Sequence, residues 1–454
     1  MNKYDVIIIG WGKGGKTLAA KLSAHGKKIA IIEKDPKMFG GTCINIGCLP
    51  TKALVHSAKV ENQARKLDVK LPWIKKEQYY QAAMKHKRDF VKLLNKKNFN
   101  VLDSKPNVDT YIGEASFLSQ HEVVIGNGKK QEVIYGDKIV INTGARSRLL
   151  EGVKIKSHKV LYSTGMLDLT ELPKKLLVIG SGFIGLEFAS MYANFGSKVT
   201  VLSPHDSFLP SEDKSDADEV KKALEAQRII FITNANLTLI KDYAKGTKVQ
   251  AEVDGQEWED YFDAILVAIG RIPNVEGLNL KSAGVEMQNG AIKVDENLKT
   301  TTNNIWAVGD CKGGAFFTYI SLDDSRIVLP QLLDQNNDRT TNNRPVVPWS
   351  MFIDPAYARV GLNEKEADKQ GIKYEVRRLA TAAMPKAHVI NETRGFNKIL
   401  VDEKGYIIGA TLFNYEAAEM INIISLAMVY KIKFMDLKNF IYTHPIFIEN
   451  LNEF

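Results

Sequence analysis

The sequence predicts an α/β protein built from two Rossmann-like domains and a C-terminal α+β domain. A buried strand, a glycine-rich turn, a helix and a second strand follow one another at the N-terminus, and the same order returns from residue 174. Beyond a polar stretch at 334–345, which we expect to be a linker or an exposed loop, strands and helices alternate without a third glycine fingerprint. The expected domains comprise residues 1–150 with 271–342, residues 151–270, and residues 343–454.

The composition is that of a globular protein with ample material for buried cores. Hydrophobic residues make up 44% of the 454 residues and charged residues 25%. No apolar run approaches the ~18 residues of a membrane helix. The apolar stretch at 4–10 leads directly into glycines, which is typical of a buried strand and not of a signal peptide. Three cysteines in so long a chain exclude a disulfide framework. We therefore expect a cytoplasmic protein without a membrane partner.

The chain is basic, with a net charge of +8. Part of this charge lies in KHKRDFVKLLNKK at 85–97, which we interpret as the solvated face of an amphipathic helix. A basic balance attracts anionic substrates. No nucleic-acid-binding motif accompanies it, so we expect no nucleic-acid partner.

The first glycine fingerprint predicts a nucleotide site. Gly10, Gly12 and Gly15 allow a tight turn, close approach of a pyrophosphate and close packing of the helix on the strand. Glu33 follows Gly12 by 21 positions, where a carboxylate can accept hydrogen bonds from ribose hydroxyls. The preceding strand and this acid in register favour nucleotide binding over an ordinary tight turn.

The second fingerprint predicts a nicotinamide nucleotide site that favours NADPH. Its glycines are Gly180, Gly182 and Gly185. The position 21 after Gly182 is Ser203, where an acid would bind the 2′-hydroxyl of NAD and repel the 2′-phosphate of NADP. His205 and Lys198 lie close in sequence, but no arginine does. The alternative is that Ser203 is a surface turn residue and that both nucleotides are accepted.

The segment GGTCINIGCLPTK, residues 40–52, predicts the redox chemistry. Cys43 and Cys48 are close enough to form a small ring disulfide that can open and close in turnover. Two nucleotide units beside such a pair indicate FAD in one unit and a nicotinamide nucleotide in the other. The thiolate is the reactive form, so we expect helix amides and a cation to lower one cysteine pKa. Lys52 lies about one helical turn after Cys48 if a helix begins here.

The chain end YTHPIFIENLNEF contains a candidate proton carrier. A histidine held by a carboxylate can act as general acid and base near neutral pH, and His444 and Glu449 offer this pair. A histidine before proline is more often structural. Beside a cysteine pair, whose departing thiolate needs a proton, the catalytic interpretation is favoured.

These motifs together resemble the pyridine-nucleotide–disulfide oxidoreductases, the family of dihydrolipoamide dehydrogenase, glutathione reductase and mercuric reductase. The match extends over essentially the whole chain and includes GSGFIGLEFA, AIGRIPN, NNIWAVGD, DPAYARVGLNEKEA and HPIFIE. The resemblance implies an FAD enzyme that oxidises NADPH or NADH, with residues 1–150 and 271–342 binding FAD, 151–270 binding NAD(P)H, and 343–454 forming a dimer interface.

The resemblance also implies roles for individual residues. Cys43 is the interchange thiol that attacks substrate, and Cys48 lies against the flavin as the charge-transfer thiolate. Lys52 lies near flavin N5 and pairs with Glu187. Asp310 holds the ribityl or phosphate region of FAD.

The remaining implied roles concern the second subunit and the cofactor contacts. In this family the pair corresponding to His444 and Glu449 completes the active site of the other subunit of a homodimer. We expect FAD to contact Gly10, Gly12, Gly15, Glu33, Gly41, Thr42, Thr143, Gly144 and Asp310, and NAD(P)H to contact Gly180, Gly182, Phe183, Ile184, Gly185, Ser203, His205, Gly270 and Arg271.

Within the family, FTYISLDDSRIV (317–328), the PTK ending of the cysteine motif and MINI near residue 420 most resemble bacterial reactive-chlorine-resistance flavoproteins. That group is described as reducing hypothiocyanous acid and, in some members, copper(II). The ending ENLNEF lacks the vicinal cysteines of mercuric reductases. Phe183 stands where glutathione reductase has a tyrosine over the nicotinamide pocket. We expect Cys311 to be a packed thiol.

Our hypothesis is therefore an NADPH-dependent reductase of a small-molecule oxidant, with hypothiocyanous acid as the expected substrate. Three alternatives stay open at this point. They are dihydrolipoamide dehydrogenase, a copper(II) or other metal-ion reductase, and a non-enzymatic flavin redox sensor.

Overall fold

The structure is a computed structural model that describes residues 1–66, 71–127 and 130–454. The chain divides into two units. The first comprises Met1–Ala53, Ala82–Arg148 and Gly270–Arg344, and the second comprises Leu54–Gln81, Leu149–Ile269 and Pro345–Phe454. The predicted domain boundaries stay a prediction.

The first unit is organised around a mixed sheet, which has seven strands among the described residues. Its order is Val108–Ile112, Ile29–Glu33, Asn2–Ile9, Lys130–Ile141, Glu122–Asn127 and Glu114–Phe117, and Ile305–Ala307 also pairs with Lys130–Ile141. The first four strands and Ile305–Ala307 are parallel, and the other two are antiparallel. The apolar run at 4–10 predicted a buried strand, and the structure has the strand Asn2–Ile9 there. Val6, Ile7, Ile8 and Ile9 are buried, as expected of a parallel strand that is covered on both faces.

Helices and short strands complete the first unit. The first helix begins at Lys13 with Gly12 as its N-cap, so the glycine fingerprint runs into its first turn. Its helices and 3-10 turns are Lys13–Ala24, Pro36–Met38, Thr42–Asn45, Leu280–Ala283, Gly309–Lys312 and Thr318–Leu332. Two antiparallel ribbons pair Ala145–Ser147 with Arg271–Pro273 and Met287–Gln288 with Ala291–Ile292. The predicted linker 334–345 has no regular secondary structure.

Two long helices, Cys48–Lys66 and Trp73–Asp103, contribute residues to both units. The second carries the basic segment 85–97, most of whose charged side chains are exposed as predicted. Lys87 is the exception, since it is 4% exposed.

The second unit contains a five-stranded parallel sheet. Its order is Ile230–Ile232, Lys198–Leu202, Lys175–Ile179, Ala264–Val267 and Val160–Tyr162. The second glycine fingerprint connects Lys175–Ile179 to the helix Phe183–Phe195, as its repeat of the N-terminal pattern predicts. A further sheet has the order Gln256–Phe262, Gly246–Val253, Ala235–Tyr243 and Lys154–Lys156.

The C-terminal part of the second unit is α+β. Its sheet has the order Trp349–Met351, Ala356–Gly361, Ile407–Asn414, Phe396–Asp402 and Tyr374–Ala380, with every pair antiparallel. The helices and 3-10 turns of the whole second unit are Ser163–Asp168, Phe183–Phe195, Lys214–Ala226, Glu364–Lys369, Thr381–Ala383, Pro385–Val389, Ala417–Val429, Phe434–Lys438 and Ile448–Glu453. An apolar core of strand and helix residues, including Ile399, Leu412 and Ile424, holds these layers together.

Among the described residues, no helix combines the length and apolarity needed to cross a membrane. Within the same part of the chain, no group of three or more His, Cys, Asp or Glu side chains could hold a metal ion.

Candidate active site

The two cysteines of the redox motif lie next to each other. Gly41 has a φ of +79°, a conformation that glycine adopts without strain, and the short helix Thr42–Asn45 that follows carries Cys43. Cys48 is the first residue of the next helix, Cys48–Lys66. Both are free thiols, and their side chains are hydrogen-bonded to each other. The structure therefore brings together the two cysteines that the sequence predicted to be a pair.

The surroundings of the pair distinguish the two sulfurs. A hydrogen bond from the Cys43 thiol lowers the pKa of Cys48, and the Thr318 hydroxyl and the Lys52 charge lower it further, against the effect of burial. The pKa of Cys43 is raised well above its ordinary value, first because its proton is held by Cys48 and second because it is buried. Reduction therefore leaves the negative charge on Cys48 and the proton on Cys43.

The helix on which the predicted position of Lys52 depends is present. The helix begins at Cys48 itself, so Lys52 lies one turn further along the same helix. Its positive charge favours the Cys48 thiolate. The predicted pairing of Lys52 with Glu187 stays a prediction.

Lys16 is a second cation at the thiols that sequence reasoning missed. It lies in the first helix, Lys13–Ala24, and its ammonium donates a hydrogen bond to Oδ1 of Asn98. Burial and the neighbouring Lys13 lower the pKa of Lys16 to about 8, while its interaction with Cys43 opposes this shift. A lysine 27 positions before Cys43 carries no local signal for this contact, because only the fold brings the two together.

The first fingerprint has the geometry of a phosphate cradle. A Cβ atom on Gly10 would lie 2.3 Å from the carbonyl oxygen of Asn142, and one on Gly41 would lie 2.7 Å from Cα of Gly12. The Gly15 amide donates to Oδ1 of Asn142 at 2.9 Å. The backbone is thus packed as closely as the fingerprint requires, and Asn142 is a supporting residue that the sequence did not reveal. The cradle fits a dinucleotide pyrophosphate.

The acids predicted to contact FAD lie in the same unit as the cradle. Glu33 ends the strand Ile29–Glu33 and accepts hydrogen bonds from the amides of Trp11 at 3.1 Å and Asp35 at 3.3 Å. Burial raises the pKa values of both Glu33 and Asp310, and Arg271 and Lys312 partly oppose this for Asp310. Two carboxylates there fit the hydroxyl groups of a bound dinucleotide.

Three further residues that were predicted to contact FAD, Thr42, Thr143 and Gly144, lie in the first unit. The Thr143 hydroxyl donates to the carbonyl of Asn274 at 2.6 Å, and Gly144 has a φ of +72°. Thr42 begins the short helix that carries Cys43. Their predicted contacts with FAD stay predictions.

Arg271 and Gly270 were predicted to contact NAD(P)H, yet they belong to the first unit. The guanidinium of Arg271 donates to the carbonyl of Ala145 and interacts electrostatically with Asp310 and Cys48. Arg271 therefore adds positive charge near the thiolate, and its contact with a nicotinamide nucleotide stays a prediction.

The second fingerprint presents an open helix N-terminus. Gly182 is the N-cap of the helix that begins with Phe183 and continues through Ile184. A Cβ on Gly185 would lie 2.1 Å from the carbonyl oxygen of Gly180, whereas one on Gly182 would meet nothing within 4 Å. The turn is closely packed on its inner side and open at its N-cap, where a pyrophosphate can approach the backbone.

Ser203 is less accessible than its predicted role suggested. It is 3% exposed, and its hydroxyl accepts from the amide of His205 at 3.2 Å and from Ser181 at 3.4 Å. His205 is exposed beside it. The nucleotide contacts of both residues stay predictions.

The predicted proton carrier is a defined pair. Nδ1 of His444 lies 2.9 Å from Oε2 of Glu449, whose other oxygen accepts from the amide of Ile446 at 3.3 Å. The side chain of Glu449 is 14% exposed and that of His444 is 71% exposed. The carboxylate is thus fixed and the imidazole is presented at the surface of the second unit.

Cys311 is a packed thiol, as expected. It is fully buried, its Sγ lies 3.3 Å from the carbonyl oxygen of Val308, and burial raises its pKa to about 12. Such a thiol stays protonated and inert.

Comparisons with known proteins agree with this geometry. Residues 4–330 match the model of the pyridine nucleotide-disulphide oxidoreductases, and residues 347–454 match that of their dimerisation domain. The chain belongs to the pyridine nucleotide-disulphide oxidoreductase family. Members of this family are enzymes that use FAD and a pyridine nucleotide, so both predicted cofactors and the predicted fold class are confirmed.

Two curated members of the pyridine nucleotide-disulphide oxidoreductase family cover nearly the whole chain. The probable pyridine nucleotide-disulfide oxidoreductase RclA of Escherichia coli (strain K12) is 41% identical, over 100% of this chain and 99% of its own. A dihydrolipoyl dehydrogenase of Bacillus subtilis (strain 168) is 32% identical, over 99% of this chain and 97% of its own.

Two solved structures of the same Escherichia coli relative also match nearly the whole chain. The HOCl-induced flavoprotein disulfide reductase RclA from Escherichia coli matches with a TM-score of 0.91 and 41% identity, over 99% of each chain. Its Cu(II) complex matches with a TM-score of 0.92 and 40% identity, over 100% of this chain and 99% of that chain.

Proposed function

We propose that the protein is a cytoplasmic, homodimeric, NADPH-dependent flavoprotein that reduces hypothiocyanous acid through the Cys43–Cys48 pair. The observation that carries the proposal is the unequal environment of the two sulfurs. Thr318 and Lys52 stabilise a thiolate on Cys48, while Cys43 keeps its proton. A dithiol arranged in this way delivers two electrons to a sulfur electrophile and closes as a disulfide.

The cofactor sites supply the electrons for this dithiol. The cradle of Gly10, Gly12 and Gly15 would hold the FAD pyrophosphate, and the open N-terminus at Gly182 would hold that of NADPH. Bound there, FAD would supply the chemistry that links hydride transfer from the nicotinamide to reduction of the Cys43–Cys48 disulfide. The missing acid at Ser203 supports the choice of NADPH.

The first chemical step forms a bond between Cys43 and the substrate. The Cys43 sulfur attacks the sulfur of hypothiocyanous acid, and the S–O bond breaks. The thiol proton passes to His444 of the partner subunit, which returns a proton to the departing oxygen so that it leaves as water. Cys43 then carries a sulfenyl thiocyanate, and no net proton has been gained or lost.

The second step closes the disulfide. The Cys48 thiolate attacks the Cys43 sulfur, and the bond to the SCN group breaks. Thiocyanate leaves as a stable anion, so this step needs no proton donor. The sum converts one thiol, one thiolate and one hypothiocyanous acid into a disulfide, thiocyanate and water.

The exposed imidazole supports a site shared between subunits. Its proposed role as proton carrier needs the Cys43 thiol as a partner, and 71% of the His444 side chain is accessible in the single chain. The C-terminal segment also exposes apolar side chains, which a second copy would cover. They are Ile423, Leu426, Val429, Tyr430, Met435, Phe440 and Ile441.

The biological role that fits these relatives is defence against reactive chlorine and related oxidants. The Escherichia coli relative is described as HOCl-induced. Copper(II) reduction at the same thiols is the second candidate, because that relative was also solved as a Cu(II) complex. Lipoamide reduction is the third, because dihydrolipoyl dehydrogenases are about 30% identical over nearly the full chain.

Steady-state consumption of NADPH and NADH by the purified holoenzyme tests the proposal. The holoenzyme is supplied in turn with hypothiocyanous acid, copper(II) and lipoamide, with Cys43→Ser as the matched control. We expect rapid NADPH oxidation with hypothiocyanous acid, none with lipoamide, and no turnover by Cys43→Ser despite retained FAD. Turnover with lipoamide alone would contradict the assigned substrate, and full activity of Cys43→Ser would contradict the dithiol mechanism.

A further inference from the structure

The helix Lys13–Ala24 begins against the segment that carries Cys43. Gly12 is the N-cap of this helix, and Gly41 lies two positions before Cys43. A Cβ atom on Gly41 would lie 2.7 Å from Cα of Gly12, so the two backbones are closely packed. The first turn of the helix is therefore next to the thiol segment, within the first unit.

Lys16, in this first turn, is anchored beside the thiol segment. Its ammonium donates a hydrogen bond to Oδ1 of Asn98, whose own amide donates to the carbonyl of Leu94 at 2.8 Å. A Cβ atom on Gly40 would lie 3.0 Å from Cγ of Asn98, so Asn98 packs on the backbone three positions before Cys43. The side chain that holds the ammonium thus also contacts the cysteine segment.

Two lysines act electrostatically on the thiol pair. Lys16 favours a negative charge on Cys43, and Lys52 favours one on the second thiol. Lys13 adds a further positive charge beside Lys16. An ammonium has three N–H donors, and among the described residues the hydrogen bond to Asn98 uses one of those of Lys16. Its other donors can bind a negatively charged group near the Cys43 sulfur.

The proposed substrate offers such a group. Hypothiocyanous acid is a weak acid, and at neutral pH most of it is the anion hypothiocyanite. When a thiol attacks the sulfur of this anion, the departing oxygen needs two protons to leave as water, and the thiol supplies only one. A cation that binds the oxygen can supply the other. Burial and the neighbouring Lys13 lower the pKa of Lys16 to about 8, so its ammonium is charged at neutral pH and gives up a proton more readily than an ordinary lysine.

We propose that Lys16 is a catalytic residue that binds the oxygen of hypothiocyanite beside Cys43 and protonates it as the S–O bond breaks. This inference rests on the proposed function and specifies the form in which the substrate binds. The Cys43 sulfur bonds to the substrate sulfur, and the oxygen leaves as water with one proton from the thiol and one from Lys16. Cys48 then closes the disulfide and releases thiocyanate. Lys16 regains its proton from solvent, so each turnover of the dithiol consumes one hypothiocyanite and one proton.

The test compares two sulfur electrophiles in anaerobic stopped-flow. The holoenzyme is reduced with one equivalent of dithionite, so the assay does not depend on the nucleotide preference, and is mixed at pH 7 with hypothiocyanite or with methyl methanethiosulfonate. The thiosulfonate is uncharged, and its first leaving group, methanesulfinate, departs without a proton. Loss of the long-wavelength absorbance of the thiolate beside flavin reports both reactions. The ratio of the two rate constants cancels any change in the reactivity of the Cys43 thiol itself.

We expect Lys16→Met to lower the ratio of the hypothiocyanite rate constant to the thiosulfonate rate constant about 100-fold, the lower end of what a positioned proton donor contributes. Lys16→Arg keeps a charge that binds the anion but is a poor proton donor, so its ratio should lie between those of wild type and Lys16→Met. The deficit of Lys16→Met should shrink at pH 5, where more of the oxidant already carries its proton. Lys21→Met, which removes an exposed lysine from the same helix, should match wild type.

An equal ratio in wild type and Lys16→Met at pH 7 would overturn the inference, as would a deficit of the same size at pH 5. If Lys16→Met does not retain FAD, Lys16→Arg decides, because a wild-type ratio in that variant would exclude proton donation by Lys16. Failure of the proposed function has a different signature. In that case the wild-type enzyme would react with methyl methanethiosulfonate and not with hypothiocyanite, and the inference would fall with the substrate.

Discussion

The hydroxyl oxygen of Thr318 lies 3.4 Å from the sulfur of Cys48. Thr318 is the first residue of the helix Thr318–Leu332, so its side chain and the positive end of that helix both belong to the Cys48 environment. Cys48 also begins its own helix and has Lys52 one turn away. The thiolate is thus stabilised from two helices of the first unit.

Replacement of Thr318 by valine should make the Cys48 thiolate harder to form. The substitution keeps the shape of the side chain and removes the hydroxyl that donates to the sulfur. We expect the Cys48 titration to move up by about one pH unit, because a hydrogen bond to a charged group contributes about 1.5 kcal/mol or more. The measurement is a pH titration of the long-wavelength absorbance that a thiolate beside flavin produces in the reduced holoenzyme.

Thr318→Ser should titrate as wild type, since it retains the donor. Ser325→Ala removes a hydroxyl two turns further along the same helix, where it donates to the carbonyl of Leu322, and should leave the titration unchanged. An unchanged titration in Thr318→Val would contradict the assigned hydrogen bond.

Removal of the Lys16 charge should slow the reaction of Cys43 with iodoacetamide below about pH 8. The pKa of Lys16 is lowered to about 8, so its ammonium is charged below that pH and neutral above it. The charge favours the Cys43 thiolate only while it is present. The rates of wild type and Lys16→Met should therefore differ below pH 8 and converge above it.

Lys16→Arg should keep the faster rate on both sides of pH 8, because a guanidinium stays charged. Lys21→Met removes an exposed lysine from the same helix and serves as the matched control. Equal alkylation rates for wild type and Lys16→Met at pH 7 would show that Lys16 does not act on Cys43.

A hybrid dimer should reveal whether each active site draws residues from both subunits. Cys43→Ser and His444→Ala should each abolish or strongly reduce turnover as homodimers. A hybrid with one subunit of each kind, purified through two different tags, keeps one intact site if Cys43 works with His444 of the partner subunit. We expect about half of the wild-type activity in this hybrid, from one of the two equivalent sites. If each active site instead used Cys43 and His444 of one and the same subunit, the hybrid would be as inactive as the two parent homodimers.

Lys398 should be important for the stability of the second unit. It is 1% exposed, and its ammonium contacts Asp213 at 2.6 Å, Asp216 at 2.5 Å and Glu364 at 2.7 Å. Lys398→Met leaves these carboxylates without their buried cation, and we expect a loss of about 3–5 kcal/mol in the free energy of unfolding. Chemical denaturation followed by circular dichroism measures it.

The control for this substitution is Lys373→Met. Lys373 pairs with Glu403 at 3.6 Å, with both side chains more than two-thirds exposed. Such a pair contributes less than about 1 kcal/mol. A similar small loss for Lys398→Met would show that the buried cluster is not a stabilising element.

The motifs that could be predicted from the sequence are those whose chemistry is local. The glycines of both fingerprints, Cys43 and Cys48 lie in short segments whose backbone geometry depends on neighbouring residues. The His444–Glu449 hydrogen bond is also local, because five positions separate the two residues. The position of Lys52 one turn after Cys48 depended on a helix beginning there, and the structure has that helix.

The residues that the sequence did not reveal reach the site through the fold. Thr318 is 270 positions from Cys48, and the contact arises because the helix Thr318–Leu332 belongs to the same unit as the cysteine motif. Asn142 supports Gly15 from the end of a neighbouring parallel strand. Ser203 was expected at the ribose, but it is 3% exposed, and its hydroxyl accepts hydrogen bonds from the His205 amide and the Ser181 hydroxyl that spacing alone does not indicate.

In the proposed reaction, Cys43 and Cys48 transfer one electron pair to hypothiocyanous acid. The most direct test is to reduce the holoenzyme with one equivalent of NADPH without oxygen, add one equivalent of hypothiocyanous acid, and map the cysteines by mass spectrometry while thiocyanate is quantified. We expect one thiocyanate for each active site, a Cys43–Cys48 disulfide, and an unmodified Cys311 thiol. Thiocyanate formed while Cys43 and Cys48 remain thiols, or no thiocyanate at all, would contradict it.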